Sequence, residues 1–532
     1  MKRLWLSAAM LLATATMLGQ QIGGDVLGQH NLGPGGTSPI QGSLSAPCLY
    51  CHAPHSGVGG ITPLWNQTLT TQTYTTYQST TYHETDAPRP ILGTDSNLCL
   101  SCHDGSVAPG QTVAYGKWAM AGTMTPTDVF GTNLANSHPF SLILPIKDAP
   151  DLVPSLVGQG VTADPLNAVR LINGNVECTS CHNPHVQATD MAVGNFLVRD
   201  GSNGQVCLAC HTPISRTVNG QTNYVAGWTN SIHATASNTA NQGTVNLGGY
   251  ATVALNACES CHETHNAPGA QRLLRGVNET DCLACHGGGS NLSPSIPNVF
   301  AEFAKVGHPF STASGTHDAN EAILLNQNRH ATCVDCHNPH SANQVTAFLP
   351  PPAIRGSQNG VEGISATDGV TVLNPAVNQY DNCLRCHGTS TGKMAIPATY
   401  GYLPVWAVAA ADPLNVIPQF ALTATSSHPV MHVLNSPYPQ PSLRAFMLNE
   451  DGATPGRPMG TQIFCTDCHN SDDNREFGGL GPNGPHGSKW THILERRYEF
   501  SQAPAPGQLI TNLFPTPDLS VNGPYALCGK CH

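Results

Sequence analysis

Cys178-Thr-Ser-Cys181-His182-Asn-Pro-His185 sets the reading of the whole chain. Its first five residues have the spacing of covalent c-type haem attachment: two thiolates add to the haem vinyl groups, and the adjacent His binds the iron from one side. The same five-residue pattern recurs at Cys48-Leu-Tyr-Cys51-His52, Cys99-Leu-Ser-Cys102-His103, Cys207-Leu-Ala-Cys210-His211, Cys258-Glu-Ser-Cys261-His262 and Cys282-Leu-Ala-Cys285-His286. It continues at Cys333-Val-Asp-Cys336-His337, Cys383-Leu-Arg-Cys386-His387, Cys465-Thr-Asp-Cys468-His469 and Cys528-Gly-Lys-Cys531-His532. These copies use all 20 cysteines. A disulfide scaffold gives no reason for a His after every second Cys. Zinc ribbons built from paired Cys-x-x-Cys knuckles leave that His idle. Ten haems c are therefore the expected cofactors, with the ten motif histidines as proximal ligands.

Composition agrees with a chain that does not build an ordinary core. There are 53 glycines and 42 prolines in 532 residues, aromatics are 6% and charged residues 10%. Gly and Pro at that density interrupt helices and strands repeatedly. The expected fold is that of a multihaem cytochrome c: mostly irregular, with short α-helices and few strands, and with the haem chain serving as the core. Thr71 to Tyr82, where Thr and Tyr alternate, reads as a surface hairpin strand.

The formal charge is −11. Each ferric haem with two neutral imidazoles and two propionates adds about −1, which takes the holoprotein to about −21. Such a surface argues against nucleic acid and anionic membranes as partners. Lys2 and Arg3 precede an apolar run from Leu4 to Leu12, and Ala13-Thr14-Ala15 offers a small-x-small cleavage site, so residues 1–19 read as a secretory signal peptide. Export to the periplasm or the cell exterior, with no membrane span in the mature chain, is the expected localisation.

The motifs fall into five pairs. In four of them the leading motif carries a further His three residues on, at His55, His185, His265 and His340, and the following motif lacks it. In the fifth pair, His469 is followed by Asn-Ser-Asp instead. The connectors place the pairs in residues 20–135, 136–225, 226–300, 301–415 and 416–532. Fifteen of the 25 histidines remain after the proximal ten, so the chain can supply a second imidazole to every iron. Bis-His iron has no open position, which suits electron transfer better than substrate binding.

These paired units resemble the doubled-CxxCH family of multihaem cytochromes. So do His30-Asn-Leu-Gly, Asn136-Ser-His138-Pro, Arg329-His330-Ala-Thr-Cys333 and Gly484-Pro-His486-Gly-Ser, and the likeness covers most of residues 28–532. The resemblance implies that the His three residues after a proximal ligand crosses to a neighbouring haem. On that basis His55, His185, His265 and His340 are assigned as distal ligands. Their counterparts are His30, His138, His233, His308 and His428, with His486 or alternatively His492 serving the fifth pair, and His330 competing with His308. His83, His317 and His432 are set aside as surface or supporting residues. In the third unit Thr264 replaces the Pro of the template.

Ten closed haems in one chain make a conductor or a charge store. The expected role is respiratory electron transfer in the periplasm or outside the cell, as an electron carrier with no catalytic residue, toward redox partner proteins or extracellular acceptors. A multihaem reductase with one open haem is the alternative enzyme reading. Subunits assembled as a homo-oligomer or a conductive filament form the structural alternative.

Overall fold

The computed structural model describes residues 28–61, 64–79, 94–143, 151–152, 169–190, 193–218, 221–238, 241–242, 245–246, 249–269, 271–277, 279–288, 296–308, 331–343, 349–389, 412, 415–433, 462–498 and 523–532. The signal segment, His83, His317 and the alternate ligand His330 lie outside them. The chain divides into two compact units. One comprises Met1–Tyr77, Glu84–Ile146 and Val153–Cys210, and the other Gln78–His83, Lys147–Leu152 and His211–His532.

Regular structure is short. Among the described residues every sheet is one antiparallel pair of strands, each two or three residues long. Helical turns gather at the Cys-x-x-Cys motifs, because one turn places residues three apart on the same side and so aims both sulfurs at one cofactor edge. Three leading and three following motifs do this differently. Cys48–Cys51, Cys178–Cys181 and Cys333–Cys336 are single α-turns, and the next residue, the proximal His, is already extended (His182 at φ −120°, ψ 139°). Thr94–His103, Thr280–His286 and Gln379–His387 are longer helices whose last residue is the proximal His. Glu177, Thr332 and Asn378 cap the helices that follow them, each in reciprocal hydrogen bonds with the third helical residue.

The interior is polar. Among the described residues, buried polar and charged side chains outnumber buried apolar ones, and Asn66, Asn256, Asn470, Asp190 and Gln379 are as enclosed as Tyr50, Phe464 and Leu384. Hydrogen bonds, rather than apolar contact, fix most of these groups. Residues 71–79 form no strand beyond a bridge from Thr75 to Asn133. The alternation expected to mark a hairpin instead serves side-chain ties: the Tyr74 hydroxyl donates to Asp104 at 2.6 Å, and the Thr70 and Ser106 hydroxyls meet at 3.0 Å. No helix among the described residues is long and apolar enough to cross a membrane.

Candidate functional site

Four leading motifs share one backbone cradle. His52, His182, His262 and His469 form bridges to Trp65, Leu197, Leu274 and Leu494. The residue after each His donates to the carbonyl just before the bridge partner, as in Asn183 N to Phe196 O at 2.6 Å and Asn470 N to Ile493 O at 3.1 Å. The residue after the partner donates back to the second cysteine of the motif, as in Val198 N to Cys181 O and Glu495 N to Cys468 O, both 2.9 Å. Leu64, Phe196, Leu273 and Ile493 all take positive φ to make the turn. The fifth leading motif therefore sits in the same cradle as the others, although the sequence after it departs from the template.

The cradle also fixes the imidazoles. Nδ1 of His182, His262 and His469 lies 2.8, 2.7 and 2.8 Å from the carbonyls of Asn195, Arg272 and His492, and Nδ1 of His337 lies 2.8 Å from Ser357 O. His103 makes the same bond to Asp128 O at 2.8 Å. An Nδ1–H given to a carbonyl leaves Nε2 bare, which is the form a metal needs. His492 contributes here through its carbonyl, held at φ 61°.

Proximal rings face second rings across a constant gap. The centres of His52 and His185 are 6.0 Å apart, those of His262 and His340 6.1 Å, and those of His337 and His486 6.0 Å. His103 faces His30 at 6.2 Å, His286 faces His233 at 6.4 Å, and His387 faces His308 at 6.4 Å. His428 lies close enough to His532 to feel its charge. An iron bound by two imidazole nitrogens at about 2 Å each holds the ring centres roughly 6 Å apart. In contrast, the simple ring stack of His30 on Phe196 closes to 4.3 Å.

Burial, then the neighbouring imidazole, pulls His340 and His486 down to about 3, and burial with His233 pulls His286 down to about 4. These rings stay neutral and ligand-ready. The Nδ1 atoms of His340 and His486 are buried without a hydrogen-bond partner. The donor set, its spacing and its protonation fit haem between paired imidazoles.

The sulfurs follow the same logic. Among the described residues, metal-ligand atoms gather in one group of three, Glu279, Cys282 and Cys333, whereas a zinc ribbon would assemble four. The two sulfurs there belong to consecutive motifs. First cysteines also meet at Cys99 with Cys178 and at Cys383 with Cys465. Second cysteines lie within electrostatic reach inside each pair: Cys51 of Cys102, Cys181 of Cys210, Cys261 of Cys285, Cys336 of Cys386 and Cys468 of Cys531. Within each unit, neighbouring attachment edges thus adjoin in sequence order.

No family model matches this chain, and no curated protein does.

The remaining sequence-predicted ligands are placed as follows. His55 is exposed, with Nδ1 3.2 Å from the Ser56 hydroxyl, and His138 has Nδ1 3.1 Å from Pro139 O. His265 is half-buried. His486, assigned from sequence to the fifth pair, faces the leading proximal His of the fourth. Strand pairing explains the shift: Val306–Gly307 pairs with Gly487–Ser488 and brings His308 beside His486. A Cβ at Gly487 would collide with the Glu302 carbonyl, so glycine is required for that approach. Asn470-Ser471-Asp472, which stand where the template has its second His, hold this arrangement. Asn470 Oδ1 accepts from Gly484 N at 2.6 Å, Ser471 donates to Glu302 at 2.5 Å, and Asp472 receives Lys305 at 3.1 Å. His432, set aside as a surface or supporting residue, has its Nδ1 2.9 Å from Phe420 O, the kind of tie that His30, His233 and His308 also make.

His211 differs from the other proximal residues, for its Nδ1 meets a carboxylate, Asp151 Oδ2, at 3.0 Å. Burial lowers the imidazole and the carboxylate more than offsets it, leaving His211 above the ordinary histidine value. A carboxylate on the far nitrogen raises ligand basicity and favours ferric iron. Asp151→Asn is expected to raise the midpoint potential of one haem without changing the haem count. Spectroelectrochemical titration reads this, and an unaltered curve would refute it.

Proposed function

We propose that the chain is an exported decahaem c-type cytochrome that carries single electrons in respiratory electron transfer, in the periplasm or outside the cell. The observation that carries this reading is the set of six imidazole pairs at 6.0–6.4 Å, each joining a proximal His to a His from elsewhere in the chain. Haem bound between such pairs supplies a closed, low-spin iron that exchanges one electron and offers no position to substrate. The protein's own residues do the rest. Cysteines would tether the haem, paired imidazoles would bind its iron, and carbonyls on Nδ1 orient the rings. Adjoining sulfurs keep successive attachment edges together. Redox proteins or extracellular acceptors are the partners that suit an acidic surface with no open metal.

The test is a haem count joined to a ligand test. Mass spectrometry of the mature protein is expected to show ten haem additions. Carbon monoxide is expected to leave the Soret band of the reduced protein unchanged. Fewer haems would sink the decahaem reading, and a carbonyl adduct amounting to one haem would favour the reductase.

A further inference from the structure

Three dipeptides recur where one pair meets the next: Pro184-His185, Pro339-His340 and Pro485-His486. Each does two things for the pair before it. Its imidazole faces the proximal His of that pair's leading motif, with ring planes nearly parallel: 20° to His52, 12° to His262 and 10° to His337. Its proline carbonyl lies against Nδ1 of the isolated His facing the second motif of the same pair, at 3.0 Å from His30, 3.0 Å from His233 and 2.9 Å from His308. Those isolated rings are turned across their partners, by 69° to His103, 83° to His286 and 61° to His387. Two of the dipeptides follow a haem-attachment motif directly. The third sits in a loop 16 residues beyond His469 and reproduces the geometry. The device is therefore the dipeptide and not the motif that usually carries it.

We propose that each of these Pro-His dipeptides closes the leading haem of the pair before it, orients the isolated imidazole that closes the second, and so makes the two electronically unlike, with near-parallel imidazoles on the leading iron and crossed imidazoles on the second. The proposal rests on the bis-His reading above. Proline suits this role because its ring fixes φ and so narrows the backbone freedom of the residue whose carbonyl makes the tie. A ring whose Nδ1 is tied to that carbonyl cannot rotate into line with its partner. Parallel imidazole planes act on one iron d orbital of the π pair and split it from the other, whereas crossed planes act on both and leave them nearly degenerate. The prolines are positioning residues, since they act through His30, His233 and His308.

Electron paramagnetic resonance of the fully oxidised holoprotein tests this. It is expected to show two low-spin classes: a rhombic set with three resolved g-values, and a broad feature with one large g-value. His340→Gly is expected to turn one haem high-spin and also to shift part of the large-g feature, because the Pro339 carbonyl loses its anchor. Added imidazole, which has no link to Pro339, is expected to return that haem to low spin without restoring the large-g feature. One low-spin class in the unmodified protein, or a His340→Gly variant that alters the rhombic set alone, would overturn the proposal. His486→Gly, read in the same way on the fourth pair, guards against local misfolding, and the unmodified spectrum decides the two-class claim even if both variants fail to accumulate. Loss of the haem count itself would strike the cytochrome reading instead.

Discussion

Made without covalent haem attachment, the polypeptide is expected to stay unfolded. Ordering the backbone costs about 1–2 kcal/mol per residue. A globular domain offsets this with apolar burial at about 1.5–3 kcal/mol per large side chain. Here the buried apolar residues, such as Tyr50, Leu98, Leu100, Phe196 and Leu384, are scattered among more numerous buried polar ones. The helical turns at the motifs are mostly three or four residues long, and such turns do not persist alone. Under the proposed function the missing apolar surface is that of ten porphyrins, and ligand-dependent folding follows, as in small metal-dependent domains. Expression in cells lacking the c-type attachment machinery, followed by limited proteolysis and hydrogen exchange, checks this. Uniform, rapid digestion and exchange are expected. A compact, protease-resistant haem-free chain would show that the protein carries its own core.

Lys530→Met is expected to destabilise the fifth pair by about 3–5 kcal/mol, the usual result of stripping one partner from a buried ion pair. Lys530 lies between the two cysteines of its motif and is 1% exposed. Its Nζ donates to Glu495 Oε2 at 2.7 Å and to the Asp467 carbonyl at 2.5 Å. Asp467 lies between the cysteines of the partner motif, so one ammonium ties the two motif loops of the pair together. Without it, the Glu495 carboxylate, itself 4% exposed, keeps only Arg496 at 3.3 Å and Asn470 at 3.3 Å. Denaturant unfolding should show the loss, and Lys530→Met combined with Glu495→Leu should recover most of it. If the double variant is as unstable as the single one, packing rather than charge explains Lys530.

The motifs themselves were legible because their signal is local: five residues fix two sulfurs and one imidazole. Their grouping into pairs was legible from the second His of the template. What the sequence could not convey was direction. His185 faces His52, and His340 faces His262, so the second His serves the pair before its own, a fact no periodicity encodes. His486 was visible as a ligand candidate, but its assignment to the fourth pair depends on Val306–Gly307 meeting Gly487–Ser488, two residues against two across a long stretch of chain. The cradle around His469 was hidden for a similar reason. It is built from backbone groups and positive-φ turns at His492 and Ile493, and the side chains there do not advertise it.

The backward reach of the Pro-His dipeptides has a consequence in time. A chain delivered from its N-terminus presents His52 and His103 before His185 and Pro184 have emerged, and His337 and His387 long before Pro485-His486. Under the proposed function, the leading iron of such a pair then waits for its second imidazole until the next stretch arrives, whereas the His that faces the second motif has already emerged. Maturation becomes vectorial, with closure trailing export by one unit. The exporting cell must shield a short-lived set of reactive irons that the finished protein does not have.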